Sequence, residues 1–336
     1  MNSFRSVFQR IFGIQSIFIN TFLILLIRNR SPSQLGTYKY MMLYISVIEI
    51  FYTMICWPAE PVVHLRGSSF LVLMSTRGSI FSHEVNKYVL AVYCGFYGFS
   101  LALFGVHFIY RYGSIRRRTR DRYFESRFAI IWFLIPVVFC LIWTVSCLIF
   151  ISESDGMTNF IRNSVLENFD LSMNDVVYVG PYFYPLDENG TPYLNYSSVC
   201  GMSILLALVI PSIACIVYFG VRCYSKIFAS VNVSGYAKRL QLQLFYALVF
   251  QATVPVLLMY IPLLIIFTLS LLDVELPFLA TTYSMLIALY PALDPLPSIF
   301  IIDSYRAASI GEQSMCKRFY RHSELFNKLF SLLKSI

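Results

Sequence analysis

The chain has 336 residues, 57% of them hydrophobic and 13% charged, with a mean hydropathy of +0.65. A soluble chain carries roughly 25% charged residues, so this composition belongs to the bilayer. Eight scattered cysteines without a C-x-x-C, and four histidines of which none pairs at i, i+4 with another ligand, exclude a structural zinc site and the metal-dependent seven-span hydrolases.

A helix needs about 20 apolar residues to cross a hydrocarbon core of about 30 Å. Seven such runs occur, at 9–28, 40–58, 87–110, 128–151, 198–221, 241–268 and 277–302. The first follows Arg5 and Arg10 as a signal peptide would. No small-residue cleavage site comes after it, and Arg28 and Arg30 close it like a stop-transfer flank, so it reads as a retained span. The run FLVLM at 70–74 is too short to cross. Prolines inside the runs (Pro136, Pro211, Pro255, Pro262, Pro295, Pro297) read as kinks, and Pro255 with Pro262 makes the sixth run a hinge. No internal repeat of the transporter kind is present.

Basic residues set the orientation. The segments after runs one, three and five, together with the tail, hold 20 of the 26 Lys and Arg, and the 152–197 loop alone holds seven acidic residues. The expectation is an all-α membrane protein: a seven-transmembrane helix bundle over 1–302 with the N-terminus extracellular and the C-terminus cytoplasmic. The loop 152–197 lies outside, and a tail of 303–336 contains an amphipathic helix with Cys316 as a palmitoylation site. This charge placement points to lipid and a protein partner and gives no support for nucleic acid. Asn189 and Asn195 sit in sequons of the outer loop, with Asn189 farther from the membrane and the better acceptor; the sequon at Asn232 falls inside.

The third run closes with GVHFIYRYG, which puts Arg111 at the membrane edge. A guanidinium binds carboxylates or backbone carbonyls and stays charged, which suits a latch that exchanges partners. A stop-transfer arginine is the plainer reading. The seventh run ends in YPALDPLPSIFIIDSYR, where Asp294 stands in an apolar stretch. An ionisable residue there costs a few kcal/mol, and it commonly faces a bundle interior and has a function.

YPALDPLPSIFIIDSYR, HFIYRY and LGTYKYMMLYISVIEIFY at 35–52 together resemble the nematode serpentine chemoreceptors of the Str class, rhodopsin-like seven-span G-protein-coupled receptors that include odorant receptors. The resemblance covers nearly the whole chain. It implies that Asp294-Pro295 stands where the wider superfamily has its Asn-Pro hinge, and Tyr110-Arg111-Tyr112 where it has an acidic-Arg-Tyr triplet. Tyr110 in place of the acid means the resting latch on Arg111 must differ. The superfamily's disulfide would need a cysteine at the outer tip of span three. Cys94 lies about 25 Å above Arg111, inside the membrane, so a bond to Cys200 is not expected. The loop is expected to be held by its own hairpin, VVYVGPYFYPLDENGTPYL, with a turn at Asp187–Gly190.

Helix arithmetic adds a second site. Asp294 lies about 13 Å in from Asp303, and Glu49 about 15 Å in from Lys39. Carboxyls at equal depth on neighbouring spans could share a proton, a water cluster or a cation; alternatively each bonds locally to Ser46 or Ser298. His107 reads as a hydrogen-bonded packing residue. For a small, weakly polar ligand, candidate contacts are Tyr93, Phe96, Tyr97 and Ser100 on span three and Ser203 on span five. Met259, Tyr260 and Phe267 on span six and Tyr283, Ser284 and Ile287 on span seven complete the set.

The functional expectation is a chemosensory receptor that binds an odorant or soluble cue in its outer half and activates a heterotrimeric G protein. It performs no catalysis and needs no cofactor or metal. The resemblance places it in the plasma membrane of a sensory cilium. A seven-span ligand-gated ion channel of the insect odorant type, with the N-terminus inside, is the alternative.

Overall fold

The computed structural model describes residues 2–32, 35–114, 129–187, 189–229 and 235–310. The basic stretch 115–128, the sequon at Asn232 and residues 311–336, Cys316 among them, lie outside the described residues.

In chain order, α1 (Asn2–Arg30) and α2 (Tyr38–Ala59) are followed by a hairpin of β1 (Val62–Arg66) and β2 (Ser69–Ser75). Then come α3 (His83–Ser114), α4 (Ala129–Phe150), α5 (Asp155–Phe169) and β3 (Val176–Val179). Next are α6 (Tyr196–Ala229), α7 (Gly235–Pro255), a π-helical turn (Val256–Tyr260) and α8 (Ile261–Leu271). Last are α9 (Pro277–Leu293), α10 (Leu296–Ile301) and α11 (Asp303–Ile310). With α7–α8 and α9–α10 each counted as one, seven helical segments among the described residues are long and apolar enough to cross a membrane. Helices suit such sequence because each closes its own backbone hydrogen bonds, which hydrocarbon cannot do.

The third span is the axis of the bundle: 83% of its apolar window is buried, against 22% in α4. Gly95 makes close packing of these two possible. A Cβ there would collide with Thr144 Oγ1 and stand 2.9 Å from the Cys140 carbonyl.

Two spans are broken, each at proline. In the sixth, Pro255 ends α7 and Pro262 sits in the first turn of α8, with the π-turn between them. The seventh breaks at Asp294–Pro295. Pro295 has no N–H, so the Pro291 carbonyl loses its helical donor. Two side chains of α1 replace it: Ser16 Oγ donates to Pro291 O at 3.1 Å and Asn20 Nδ2 at 3.0 Å.

The all-α expectation needs one correction. The strands form an antiparallel sheet in the order β1-β2-β3, with Val63 opposite Val72 and Val72 opposite Val179. FLVLM is therefore the heart of β2. Its alternation is hidden because both faces of the sheet are covered. Val63, Leu65, Phe70, Met74, Val177 and Val179 face the bundle core. Val62, Leu71, Leu73, Val176 and Tyr178 face α5 through Met157, Ile161 and Val165. The sheet and α5 thus make a two-layer cap on one end of the bundle. VVYV pairs with β2 rather than within the expected loop hairpin. The turn at Asp187 does form: Asp187 N donates to Thr191 O at 3.0 Å, Gly190 N donates to Asp187 O at 3.0 Å, and Leu186 bridges Pro192.

Candidate functional site

Beneath the cap lies a cavity of about 70 Å³. That is room for several waters or a small organic molecule. The sheet supplies its ceiling through Val63, Phe70, Val179, Gly180 and Pro181. Gly180 is needed for this approach, because a Cβ on it would overlap the Phe70 carbonyl and lie 2.6 Å from Leu71 Cα. Trp143 and Met202 form side walls. The floor is tyrosine. Tyr283 OH donates to Tyr97 OH at 3.3 Å, Tyr260 OH donates to the Tyr97 carbonyl at 3.1 Å, and Ser100 Oγ meets Tyr260 OH at 2.6 Å.

Of the eleven residues proposed from sequence, Tyr97, Tyr260, Phe267 and Tyr283 line this cavity. Tyr93, Ser284 and Ile287 border a smaller one beside α1, and Phe96, Ser100 and Met259 border a third next to Glu49. Ser284 also joins two elements, since its Oγ accepts the Val63 amide at 2.8 Å and so ties β1 to α9. Ser203 must be corrected. It is exposed on the outer face of α6 and its hydroxyl returns to the Val199 carbonyl at 2.8 Å. Residue spacing gives depth along a helix, and the rotation of α6 turns this position away.

Among the described residues no covalent link holds the cap. Cys94 is buried and Cys200 exposed, and both are free thiols. Glu153 accepts the Tyr178 amide at 3.1 Å and meets His83 Nε2 at 3.0 Å. Glu275, from the loop before α9, accepts the Gly67 amide at 2.7 Å and Arg66 at 3.4 Å. Between sheet and α5, His64 Nε2 meets Ser164 Oγ at 2.8 Å and its ring lies edge-on to Phe169. Burial first, then the neighbouring Arg66 charge, pushes the His64 imidazole down to about 4, with Glu275 opposing. Asn189 is exposed in its turn. Asn195 is half-buried, and its Oδ1 accepts the Ser197 and Ser198 amides at 3.1 and 3.4 Å, capping α6.

At mid-depth the Glu49 and Asp294 carboxyls face each other, with Asn20 and Tyr290 beside Glu49. Both residues are buried, at 4% and 0% exposure. Gln251 on α7 donates through Nε2 to the Asp294 carbonyl at 3.0 Å and to Asp294 Oδ2 at 3.2 Å, while its Oε1 accepts from Ser298 at 3.2 Å. Among the described residues, neither Glu49 oxygen nor Asp294 Oδ1 has a well-directed donor. Sequence reasoning missed Gln251, Ser16 and Asn20 as members of this site. The signal was present in lone polar residues within apolar runs, two of them at i, i+4.

The far end carries Arg111, which is 2% exposed. Its Nη2 donates to the Gln241 carbonyl on α7 at 2.9 Å, and its guanidinium lies 4.8 Å from the centre of the Tyr38 ring. Tyr38 in turn stacks on Tyr110. Tyr112 packs on Phe219 and carries Lys226 over its face at 3.6 Å. His107 packs against Tyr38, and neither ring nitrogen is hydrogen-bonded to a described residue, which corrects the expectation of a bonded histidine. Nearby, Asp303 at the start of α11 joins Arg239 of α7 at 2.7 Å and Arg306 at 2.6 Å. The first two turns of α7 are therefore held by the Arg111 hydrogen bond to the Gln241 carbonyl and by the Arg239–Asp303 ion pair.

Comparison with known proteins agrees with this geometry. Residues 5–310 match the family model of the serpentine type 7TM GPCR chemoreceptor Str. The chain is 35% identical to G-protein coupled receptor str-217 of Caenorhabditis elegans, over 91% of this chain and 88% of that protein. It is 30% identical to serpentine receptor class r-10 of C. elegans and 28% identical to that of Caenorhabditis briggsae, over 86% of this chain and 84% of each.

Proposed function

This chain belongs to the Str family of serpentine seven-transmembrane G-protein-coupled chemoreceptors, and from that premise we propose that the cavity beneath its sheet is where it binds its cue. The observation that carries this is the cavity itself, whose apolar walls meet a floor of three linked tyrosines. A small uncharged molecule would bury its apolar body against Trp143, Met202 and the ceiling and spend one polar group on a tyrosine hydroxyl.

Response follows by population shift: a ligand that fits the active arrangement better draws the receptor toward it. The sixth span has the joints for this motion at Pro255, the π-turn and Pro262. Tyr260 lies in that turn and bonds to the cavity floor, so occupancy reaches the hinge directly. At the other end Arg111 would leave the Gln241 carbonyl and open a cleft for the heterotrimeric G protein. Between them, Glu49 and Asp294 act as a coupled polar site that rearranges with the break in the seventh span.

The skew of basic residues supports a reading with the cap and N-terminus outside the cell and Arg111 in the cytoplasm. Asn189 then carries glycan, and the receptor sits in the plasma membrane, in a sensory cilium by analogy with its family. An ion channel of the insect odorant type would reverse this orientation, and family membership does not favour it.

The test is an epitope tag ahead of Met1 stained on intact cells, followed by an odorant screen on the parent and on Leu205→Trp, which fills the cavity because Leu205 is part of its lining. Surface staining and a response lost in Leu205→Trp at equal expression support the proposal. Staining only after permeabilisation, with the protein shown at the surface by a second label, would reject the orientation.

A further inference from the structure

The cavity is closed above, whereas at the side one of its lining residues reaches the outer surface. Val63, Phe70, Val179, Gly180 and Pro181 make a buried ceiling, and α5 covers the other face of the sheet. The wall between the fifth and sixth spans differs. Leu264 of α8 lines the cavity and is also 39% exposed on the outer surface of the bundle, and Leu206 of α6 opposite it is half-buried.

The gap has a cause in the helix packing. α6 lies against α3 and α4 and, toward the far end, α7. After the π-turn, α8 leans instead on β1, β2 and α9, so it has no more than passing contact with α6. The outer surface of these two segments is apolar: Ile210 of α6, Leu257 of the π-turn and Ile261 and Ile265 of α8 are all exposed.

We propose that ligands enter this cavity sideways from the bilayer, between α6 and α8 and past Leu206 and Leu264, so that the receptor selects uncharged molecules that dissolve in lipid. This rests on reading the cavity as the binding site. A molecule taking this route is concentrated first by partition into the membrane. A charged one is refused before it reaches the tyrosines, because hydrocarbon excludes it. Phe267, on the α8 side of the cavity, packs edge-on against Phe183 of the cap at 5.7 Å, which links the side opening to the lid.

The cavity contains its own reporter in Trp143. The chain would be placed in lipid nanodiscs with Trp57→Phe and Trp132→Phe, and Trp143 emission followed by rapid mixing with bromobenzene, an uncharged heavy-atom quencher. Bromobenzene should quench the parent. Leu206→Phe with Leu264→Phe should slow the approach to the final level about tenfold, since an obstacle on the path raises the barrier to entry. Leu264→Ala, which widens the gap, should speed it. Rates unchanged in both variants would overturn the side entry while leaving the cavity as a binding site. No quenching in the parent would overturn both readings.

Discussion

One amide of Gln251 donates to both the main chain and the side chain of Asp294, at 3.0 and 3.2 Å, and so bridges the sixth span to the break in the seventh. Gln251→Leu would leave two buried acceptors without a donor, a loss of about 1–3 kcal/mol. The expected result is a lower Tm for the purified receptor together with weaker signalling. An unchanged Tm would show that the bridge carries no stability.

Glu49 and Asp294 face each other across the same site. Glu49→Gln and Asp294→Asn should each reduce the evoked response at normal surface expression, and the double variant should be little worse than either single one, as for groups that act together. Two silent single variants would dismiss the coupled site.

Arg111→Ala should abolish G-protein activation while ligand binding persists, because the cavity lies at the opposite end of α3. Asp303→Asn and Arg239→Ala should act the other way by loosening the first two turns of α7. That ion pair is partly exposed, so it contributes about 0.2–1 kcal/mol, and ligand-independent signalling should rise by at most about fivefold. Basal activity at or below the parental level would remove the ion pair from the latch.

The cap should be sensitive to acid through His64, whose imidazole is held down to about 4 by burial and by Arg66. Below about pH 6.5 the unfolded chain takes up a proton there that the folded cap refuses, so stability falls as pH drops from about 6.5 to about 4 and is flat above that window. The full loss is up to roughly 3 kcal/mol. Thermal unfolding across this range should slope for the parent and flatten for His64→Gln; equal slopes would assign the acid sensitivity elsewhere.

The spans were readable because hydropathy over about 20 residues is a strong signal, and equal depths for Glu49 and Asp294 followed from rise per residue alone. The cap was not readable. VVHLR and SFLVLMS are buried on both faces, so their alternation vanishes into a plain apolar run, and their partner β3 lies about a hundred residues on. Helix rotation was also hidden. It separates Tyr97, which faces the cavity, from Ser203, which does not. The basic skew could be counted from sequence, but the choice of a main-chain carbonyl for Arg111 depends on how α7 is placed.

The repair of the seventh span by the first has an evolutionary corollary. Ser16 and Asn20 spend their donors on the one carbonyl that Pro295 strips of its partner, although some 270 positions separate them in the chain. Selection on these sites is therefore joint. In lineages that replace Pro295 with a residue bearing an amide hydrogen, the need for donors at positions 16 and 20 disappears, and both should drift toward apolar residues; where the proline stays, at least one donor should stay with it.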